Sequence, residues 1–160
     1  MFMQFKKYVT EEDALKKIKH YCAYQERCHS EVKEKLYSFG LYKQQVENIL
    51  SKLIEDNYLN EERFAIAFAG GKFRMKHWGR KKIEYELRQK QVSTFCIKLA
   101  LKAIDEKDYH SSLLKLATAK WNSVSDEVVY ARVAKTYAYL LQKGYESSLI
   151  QQQLKQLQNK

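Results

Sequence analysis

The chain contains no proline, and only five of its 160 residues are glycine. Without proline the commonest helix breaker is missing, and the β-branched alternation expected of strands is missing too. Cysteine is scarce: three residues, odd in number and without pattern, which argues against a disulfide framework and fits reduced thiols in a cytoplasmic protein. No apolar run approaches the roughly eighteen residues that a bilayer-spanning helix needs. The opening residues Met1-Phe2-Met3-Gln4-Phe5-Lys6-Lys7 lack the apolar centre of a secretory signal.

Catalytic spacings are absent as well. There is no Gly-x-Ser-x-Gly, no phosphate-binding glycine loop and no His-Glu-x-x-His. Carboxylates sit at helix starts or beside lysines, where capping and pairing account for them, and His77 and His110 have no evident partner. His20, Cys22, Cys28 and His29 are close in sequence, but i, i+2 spacing puts His20 and Cys22 on different helix faces, and no Cys-x-x-Cys occurs. The reading is therefore a non-enzyme with no catalytic residues, no metal and no cofactor.

What is present is helix-forming sequence rich in Glu, Lys, Leu, Gln and Ala, and it repeats. Lys35-Leu36-Tyr37-Ser38-Phe39-Gly40-Leu41 aligns with Glu86-Leu87-Arg88-Gln89-Lys90-Gln91-Val92 and with Tyr139-Leu140-Leu141-Gln142-Lys143-Gly144-Tyr145, at offsets of 51 and then 53 residues. Downstream, Val46, Ile97 and Ile150 correspond, then Leu50, Leu101 and Leu154, then Leu53, Ile104 and Leu157. Each set repeats apolar residues at i, i+4, i+7, one face of a helix. A fixed period of this length announces stacked helical units. The expectation is an all-α chain forming one domain over 1–160, with repeats at about 10–57, 58–104 and 105–160 and about nine helices.

Helix starts are predicted at Thr10, at Asn60, at Ser93 or Thr94, at the acidic turn Asp105-Glu106-Lys107-Asp108 and at Ser125-Asp126-Glu127. Gly40 reads as a left-handed helix end. Apolar stripes run through Ala14, Leu15, Ile18, Tyr21 and Cys22 in the first unit and Leu113, Leu114, Leu116 and Trp121 in the third. Cys96 reads as a small core residue. Of twelve tyrosines, Tyr21, Tyr37, Tyr58, Tyr137 and Tyr145 fall in or beside such stripes and read as packing residues.

Charge breaks the symmetry of the repeats. The formal net charge is +10, which calls for an acidic partner: most often a nucleic-acid backbone, less often an anionic membrane or an acidic protein groove. Residues 1–57 hold 10 basic and 9 acidic side chains, residues 58–104 hold 11 and 4, and residues 105–160 hold 8 and 6. The middle unit thus carries +7 of the excess. Its densest tract runs from Lys72 to Lys82, with Arg88 and Lys90 one helix on. Lys72, Arg74, Lys76, Arg80, Lys81, Lys82, Arg88 and Lys90 are the candidate contacts to phosphate. Phe73, Trp78 and Tyr85 are interleaved, either as core or as stacking surfaces for unpaired bases. Glu84 is four residues from both Arg80 and Arg88 and is placed to pair with them.

Four stretches carry a resemblance. Arg27-Cys28-His29-Ser30-Glu31-Val32-Lys33-Glu34-Lys35-Leu36 fits Arg-Ser-x-x-Glu-Leu-x-x-Lys-Leu. Tyr58-Leu59-Asn60-Glu61-Glu62-Arg63-Phe64-Ala65 fits Gly-Tyr-Leu-Asn/Asp-Asp-x-x-Phe-Ala. Arg74 through Gly79, Ile83 and Glu86-Leu87 to Lys90-Gln91-Val92 fits Arg…Gly…Ile-x-x-Glu-Leu-x-x-Lys-Gly-Ile, and Leu140 to Tyr145 fits Leu-x-x-Arg-Gly-Phe. As an ordered set these resemble the RecX family, regulatory proteins of the RecA recombinase. Cys28 replaces the usual Ser, Val32 the Leu, and Asn57 and Gln91 two glycines. A Gln at 91 has to adopt a left-handed backbone or end its helix differently.

The resemblance implies tandem three-helix repeats in an elongated, curved monomer. It also implies a role in binding the RecA–DNA filament and restraining recombinase, ATPase and coprotease activity in recombination, DNA repair and the SOS response. Its partners would be the RecA filament and single- or double-stranded DNA, with no membrane. The residues by themselves leave two further readings open, a general nucleic-acid-binding helical module and an adaptor for an acidic protein.

Overall fold

The computed structural model describes residues 9–160, so the reading of the opening residues falls outside it. Among the described residues there are nine helices and no strand. The first three are α1 (Glu11–Tyr24), α2 (His29–Ser38) and α3 (Lys43–Glu55), followed by α4 (Glu61–Lys76), α5 (Arg80–Gln89) and α6 (Thr94–Lys102). The last group is α7 (Glu106–Ser123), α8 (Val129–Lys143) and α9 (Ser147–Gln158).

Local chemistry starts four of these nine helices where the sequence predicts. The side chains of Thr10, Asn60, Ser93 and Asp105 each accept a hydrogen bond from the N–H three residues on, at 2.9–3.2 Å, which satisfies one orphan donor per helix. Ser125-Asp126-Glu127 is the exception. It forms a turn in which the Glu127 N–H donates to the Val124 carbonyl at 3.1 Å, and α8 starts later, behind Val128, with no side-chain cap. The register of α8 is set instead by Arg132, whose Nε donates to the Trp121 carbonyl at 2.9 Å while its guanidinium lies 3.9 Å from the Trp121 ring centre.

Packing follows the threefold pattern. Helices α1–α3, α4–α6 and α7–α9 pack among themselves. Leu36, Leu87 and Leu140 are all fully buried, as are the equivalent sets Leu41/Val92/Tyr145, Val46/Ile97/Ile150 and Leu53/Ile104/Leu157 to within a few per cent. Leu50 and Leu101 are only half-buried where Leu154 is buried. In α7 the buried face is Tyr109, Leu113, Ala117 and Trp121, and Leu114 points to solvent. Tyr145 is buried, Tyr21 and Tyr137 are half-buried, and Tyr37 and Tyr58 are exposed. The first repeat has its own core, whereas the second and third share one. The accessible surface is 10938 Å², against about 8,400 Å² for a compact chain of this mass. The repeats are therefore strung out in a row, not folded into a ball.

The second helix of each repeat begins where the second helix of the next repeat ends. The Gly79 N–H, at the cap of α5, donates to the Lys143 carbonyl at 2.8 Å, and the Lys81 N–H donates to the Gly144 carbonyl at 2.9 Å. One repeat earlier, Ser30 in the first turn of α2 donates its hydroxyl to the Lys90 carbonyl at 2.8 Å. At the second joint orphan N–H donors of one helix start thus meet orphan carbonyls of another helix end, and at the first a side-chain hydroxyl does so, each bringing the positive end of one helix dipole to the negative end of another.

The helix ends at these joints require a left-handed residue. Gly40, Gln91 and Gly144 occupy equivalent positions with φ of 84°, 62° and 99°, and Asn57 and His77 are also left-handed. Gln91 therefore takes the left-handed geometry, with the Val92 N–H donating to the Leu87 carbonyl at 3.1 Å. Gln91→Gly should raise the unfolding free energy by about 1 kcal/mol, because glycine holds this φ without side-chain strain; urea unfolding reads it. A Cβ at Gly79 would stand 2.3 Å from the Gly144 carbonyl carbon. Gly79→Ala should accordingly cost about 3 kcal/mol in the same measurement.

Candidate nucleic-acid interface

The basic tract covers the last turns of α4, the left-handed turn at His77 and the start of α5. The end of α4 forms a ridge between two grooves. One, of about 470 Å³, is lined by Phe64, Phe68, Lys72, Met75, Lys76 and Lys90 among others. The other, of about 510 Å³, lies against α7 and takes Arg74, His77, Asp108 and Lys115 into its walls.

The eight candidate cations do not share one fate. Arg74, Lys76 and Lys81 are exposed and, among the described residues, have no carboxylate within ion-pair distance. Lys72 and Lys82 are half-buried beside the same indole, their ammonium groups 5.1 and 4.7 Å from the Trp78 ring centre. Arg88 pairs with Glu84 at 2.9 Å along α5. Arg80 does not share that carboxylate. It pairs with Glu106 and, at 3.5 Å, with Glu146, both from the third repeat, and stacks 3.8 Å from the Tyr109 ring centre. Lys90 reaches back to the first repeat, where Nζ donates to Glu31 at 2.9 Å. That bond holds the Lys90 ammonium above its ordinary pKa, against the opposing effect of burial.

Arg80 and Lys90 are thus fastened to the two joints. The interleaved aromatics sort the same way. Phe73 is buried, and Trp78 packs edge-on against Phe68 at 6.5 Å beneath its two lysines. Only Tyr85, 59% exposed, keeps a free ring face.

Tyr109 is the residue that motif reading passed over. Its hydroxyl accepts from the Arg80 N–H at 3.0 Å and donates to Glu146 at 2.8 Å, and its ring lies 5.8 Å from Phe73 and 5.1 Å from Tyr145. The available signal was its place four residues before Leu113, on the buried face of α7. Tyr145 adds a bond from its hydroxyl to the His77 carbonyl at 3.1 Å, which ties down the turn that carries the basic tract. Burial pushes both phenols above the ordinary tyrosine range. Cys22 lies in the first core and Cys28 in the shared core, so the sequence-adjacent thiols and histidines do not converge; burial raises both thiol pKa values. Cys96 is buried, as read.

The family model for RecX, second three-helix domain, matches residues 60–101, and that for RecX, third three-helix domain, matches residues 107–154. The regulatory protein RecX of Prosthecochloris aestuarii is 30% identical over 144 residues, covering 90% of this chain and 93% of the relative. The chain belongs to the RecX family. The RecX protein of Clostridium botulinum (strain Eklund 17B / Type B) is 32% identical over 135 residues, 83% of this chain but 63% of the relative. The chain thus spans a little under two thirds of that longer RecX protein. The crystal structure of RecX from Lactobacillus salivarius superposes with a TM-score of 0.85 at 23% identity, covering 94% of this chain and 97% of that one. A second RecX crystal structure gives 0.77 at 24% identity, covering 88% and 71%. These likenesses establish tandem three-helix units as the RecX fold of this chain. No helix among the described residues is long and apolar enough to cross a membrane.

Within this RecX chain the Tyr109 cluster makes the second joint sensitive to alkali. The folded-state phenol pKa values lie above their unfolded values, so the unfolded chain releases these protons first. The stabilisation is full below about pH 10 and falls as pH rises beyond it. Tyr109→Phe should cost about 1–2 kcal/mol near neutrality by leaving Glu146 and the Arg80 N–H without their partner, and should reduce the loss above about pH 10. Urea unfolding at neutral and alkaline pH measures both.

Proposed function

We propose that this chain is a non-enzymatic, cytoplasmic regulator that binds the RecA–DNA filament and restrains its ATPase, recombinase and coprotease activities in recombination, repair and the SOS response. The observation that carries this reading is the row of unpaired cations on the α4–α5 ridge of a RecX-family chain. Arg74 and Lys76 at the end of α4 and Lys81 at the start of α5 flank a turn that Tyr145 and the second joint hold in place. Phosphates that such cations neutralise release their counterions, which supplies a favourable and salt-sensitive binding term. Lys72 and Lys82 extend the positive surface from their places on Trp78, and Arg88 adds a charge partly cancelled by Glu84. Arg80 and Lys90 serve by shaping the array. A row of repeats suits contact along an extended assembly better than closure round a small ligand.

The test is RecA ATP hydrolysis on single-stranded DNA, titrated with this chain and with Arg74→Glu/Lys76→Glu/Lys81→Glu. Wild type should suppress hydrolysis, and the triple variant should need roughly tenfold more protein or above, as expected for losing three phosphate contacts. Its thermal midpoint should fall by no more than a few degrees: no ion pair is lost, and Glu at 74 and 76 opposes the dipole at the end of α4 while Glu at 81 suits the start of α5. Undiminished suppression by the triple variant would sink the assignment of the ridge. Salt-dependent DNA binding without any effect on hydrolysis would identify a general nucleic-acid-binding module instead.

A further inference from the structure

The groove of about 510 Å³ between the end of α4 and α7 takes part in the ridge contacts only through Arg74. Its volume falls within the roughly 300–1,000 Å³ of small-molecule sites. Phe73, Leu116 and Ala119 give it an apolar lining, and Ser111, Ser112 and Asp108 add polar groups. Two permanent cations stand in its walls, Arg74 from α4 and Lys115 from α7. Both are exposed, and among the described residues neither has a carboxylate within ion-pair distance. Lys115 belongs to the third repeat, well outside the basic tract, so a count of local charge passes over it.

The two walls are tied together by a single phenol. The buried Tyr145 hydroxyl donates to the His77 carbonyl at 3.1 Å and lies 3.0 Å from the Ser112 hydroxyl. His77 caps α4 and Ser112 lies on α7, and both line the groove. The Phe73 ring is held as well, 5.8 Å from that of Tyr109. A site formed before its ligand arrives loses little free energy to ordering itself.

We infer that this groove receives an unpaired base of a single-stranded nucleic acid, with the flanking phosphates on Arg74 and Lys115. The inference rests on the phosphate-binding role proposed for the ridge and narrows it to single strands. Arg74 is common to ridge and groove, so a strand whose phosphates follow the ridge carries its bases to the groove. An unpaired base has two apolar faces and a polar edge. The apolar lining suits one face, and a guanidinium plane such as that of Arg74 stacks on the other. Ser111 and Asp108 offer hydrogen-bonding groups to the edge, a carboxylate being suited to an exocyclic amino group. In a duplex the same base is stacked on both sides and paired at its edge. It reaches the groove only by extrusion, at a cost in unstacking and unpairing that a single strand does not meet.

The test is fluorescence anisotropy of the full chain, without RecA, on a labelled single strand and on the duplex of the same length. Ser111→Leu/Ala119→Leu fills the groove at two exposed positions and leaves the charge unchanged. It should weaken single-strand binding roughly tenfold, the effect of losing one base contact, and alter duplex binding by less than about twofold, with the circular dichroism spectrum kept. Lys115→Gln should lower the slope of log affinity against log salt on the single strand by about 0.7, the value of one phosphate contact. A single strand carrying 4-thiothymine should cross-link on illumination to α7 between Ser111 and Ala119. Single-strand binding that the filled groove leaves intact would overturn the inference, as would equal losses on both substrates, cross-links only to regions other than α7, or no single-strand binding by the wild type. The triple variant of the ridge, measured alongside, separates the two ideas. If it weakens binding and the groove variants do not, the groove fails and the ridge stands; if no variant has any effect, both fail.

Discussion

Between the second and third repeats two backbones touch with no side chain in between, and most of the array depends on that contact. An added Cβ at Gly144 would lie 2.4 Å from the Lys82 Cβ, as one at Gly79 would lie against the Gly144 carbonyl. This closeness lets the Gly79 and Lys81 N–H groups reach the carbonyls of Lys143 and Gly144 directly. It also brings the rings of Phe73, Tyr109 and Tyr145 into one stack, and so merges two repeats into a single core. The turn at His77, which presents the basic tract, is fixed by the same cluster through Tyr145.

The placement of charge follows from the joints. Arg80 opens α5, where a cation opposes the positive end of the helix dipole. It is held there by Glu106 and Glu146 and by the face of Tyr109. Lys90 closes α5, where the dipole favours it, and Glu31 lies at the favourable start of α2. These two cations, indistinguishable in sequence from their neighbours, are consumed by architecture. Those left over are the ones between the joints, on the ridge, where among the described residues no carboxylate comes within ion-pair distance of Arg74, Lys76 or Lys81.

What could be read from sequence divides along the same line. The repeat, the helix count and the buried sets at Leu36, Leu87 and Leu140 were legible because each is a local periodicity repeated three times. Caps at Thr10, Asn60, Ser93 and Asp105 were legible because they reach only three residues. The partners of Arg80 were not. Glu84 lies one helical turn away and Glu146 lies 66 residues away, yet geometry chooses Glu146, since the joint brings it next to α5. The cap expected at Ser125 failed for a related reason. A tertiary contact, Arg132 on Trp121, set where α8 begins and overrode the local preference. The candidate surface was legible as a density of charge, but the division of that charge into structural and available cations rests on contacts between repeats.

The two joints are one design at two spacings. At the first, the Ser30 side chain bridges the gap to the Lys90 carbonyl, and its hydroxyl also lies 3.1 Å from the Cys28 thiol. At the second, a bare N–H makes the corresponding bond. A joint bridged by a side chain leaves room for Cβ atoms, so Cys28 and Gln91 are tolerated where the tighter joint demands Gly79 and Gly144. The wider gap also explains why the first repeat keeps a core of its own and lends the next only Cys28. Glycine at the helix end therefore answers two separate demands, a left-handed φ and a close approach. Gln91 meets the first at the expense of strain because its joint does not impose the second. Gly144 is held to both.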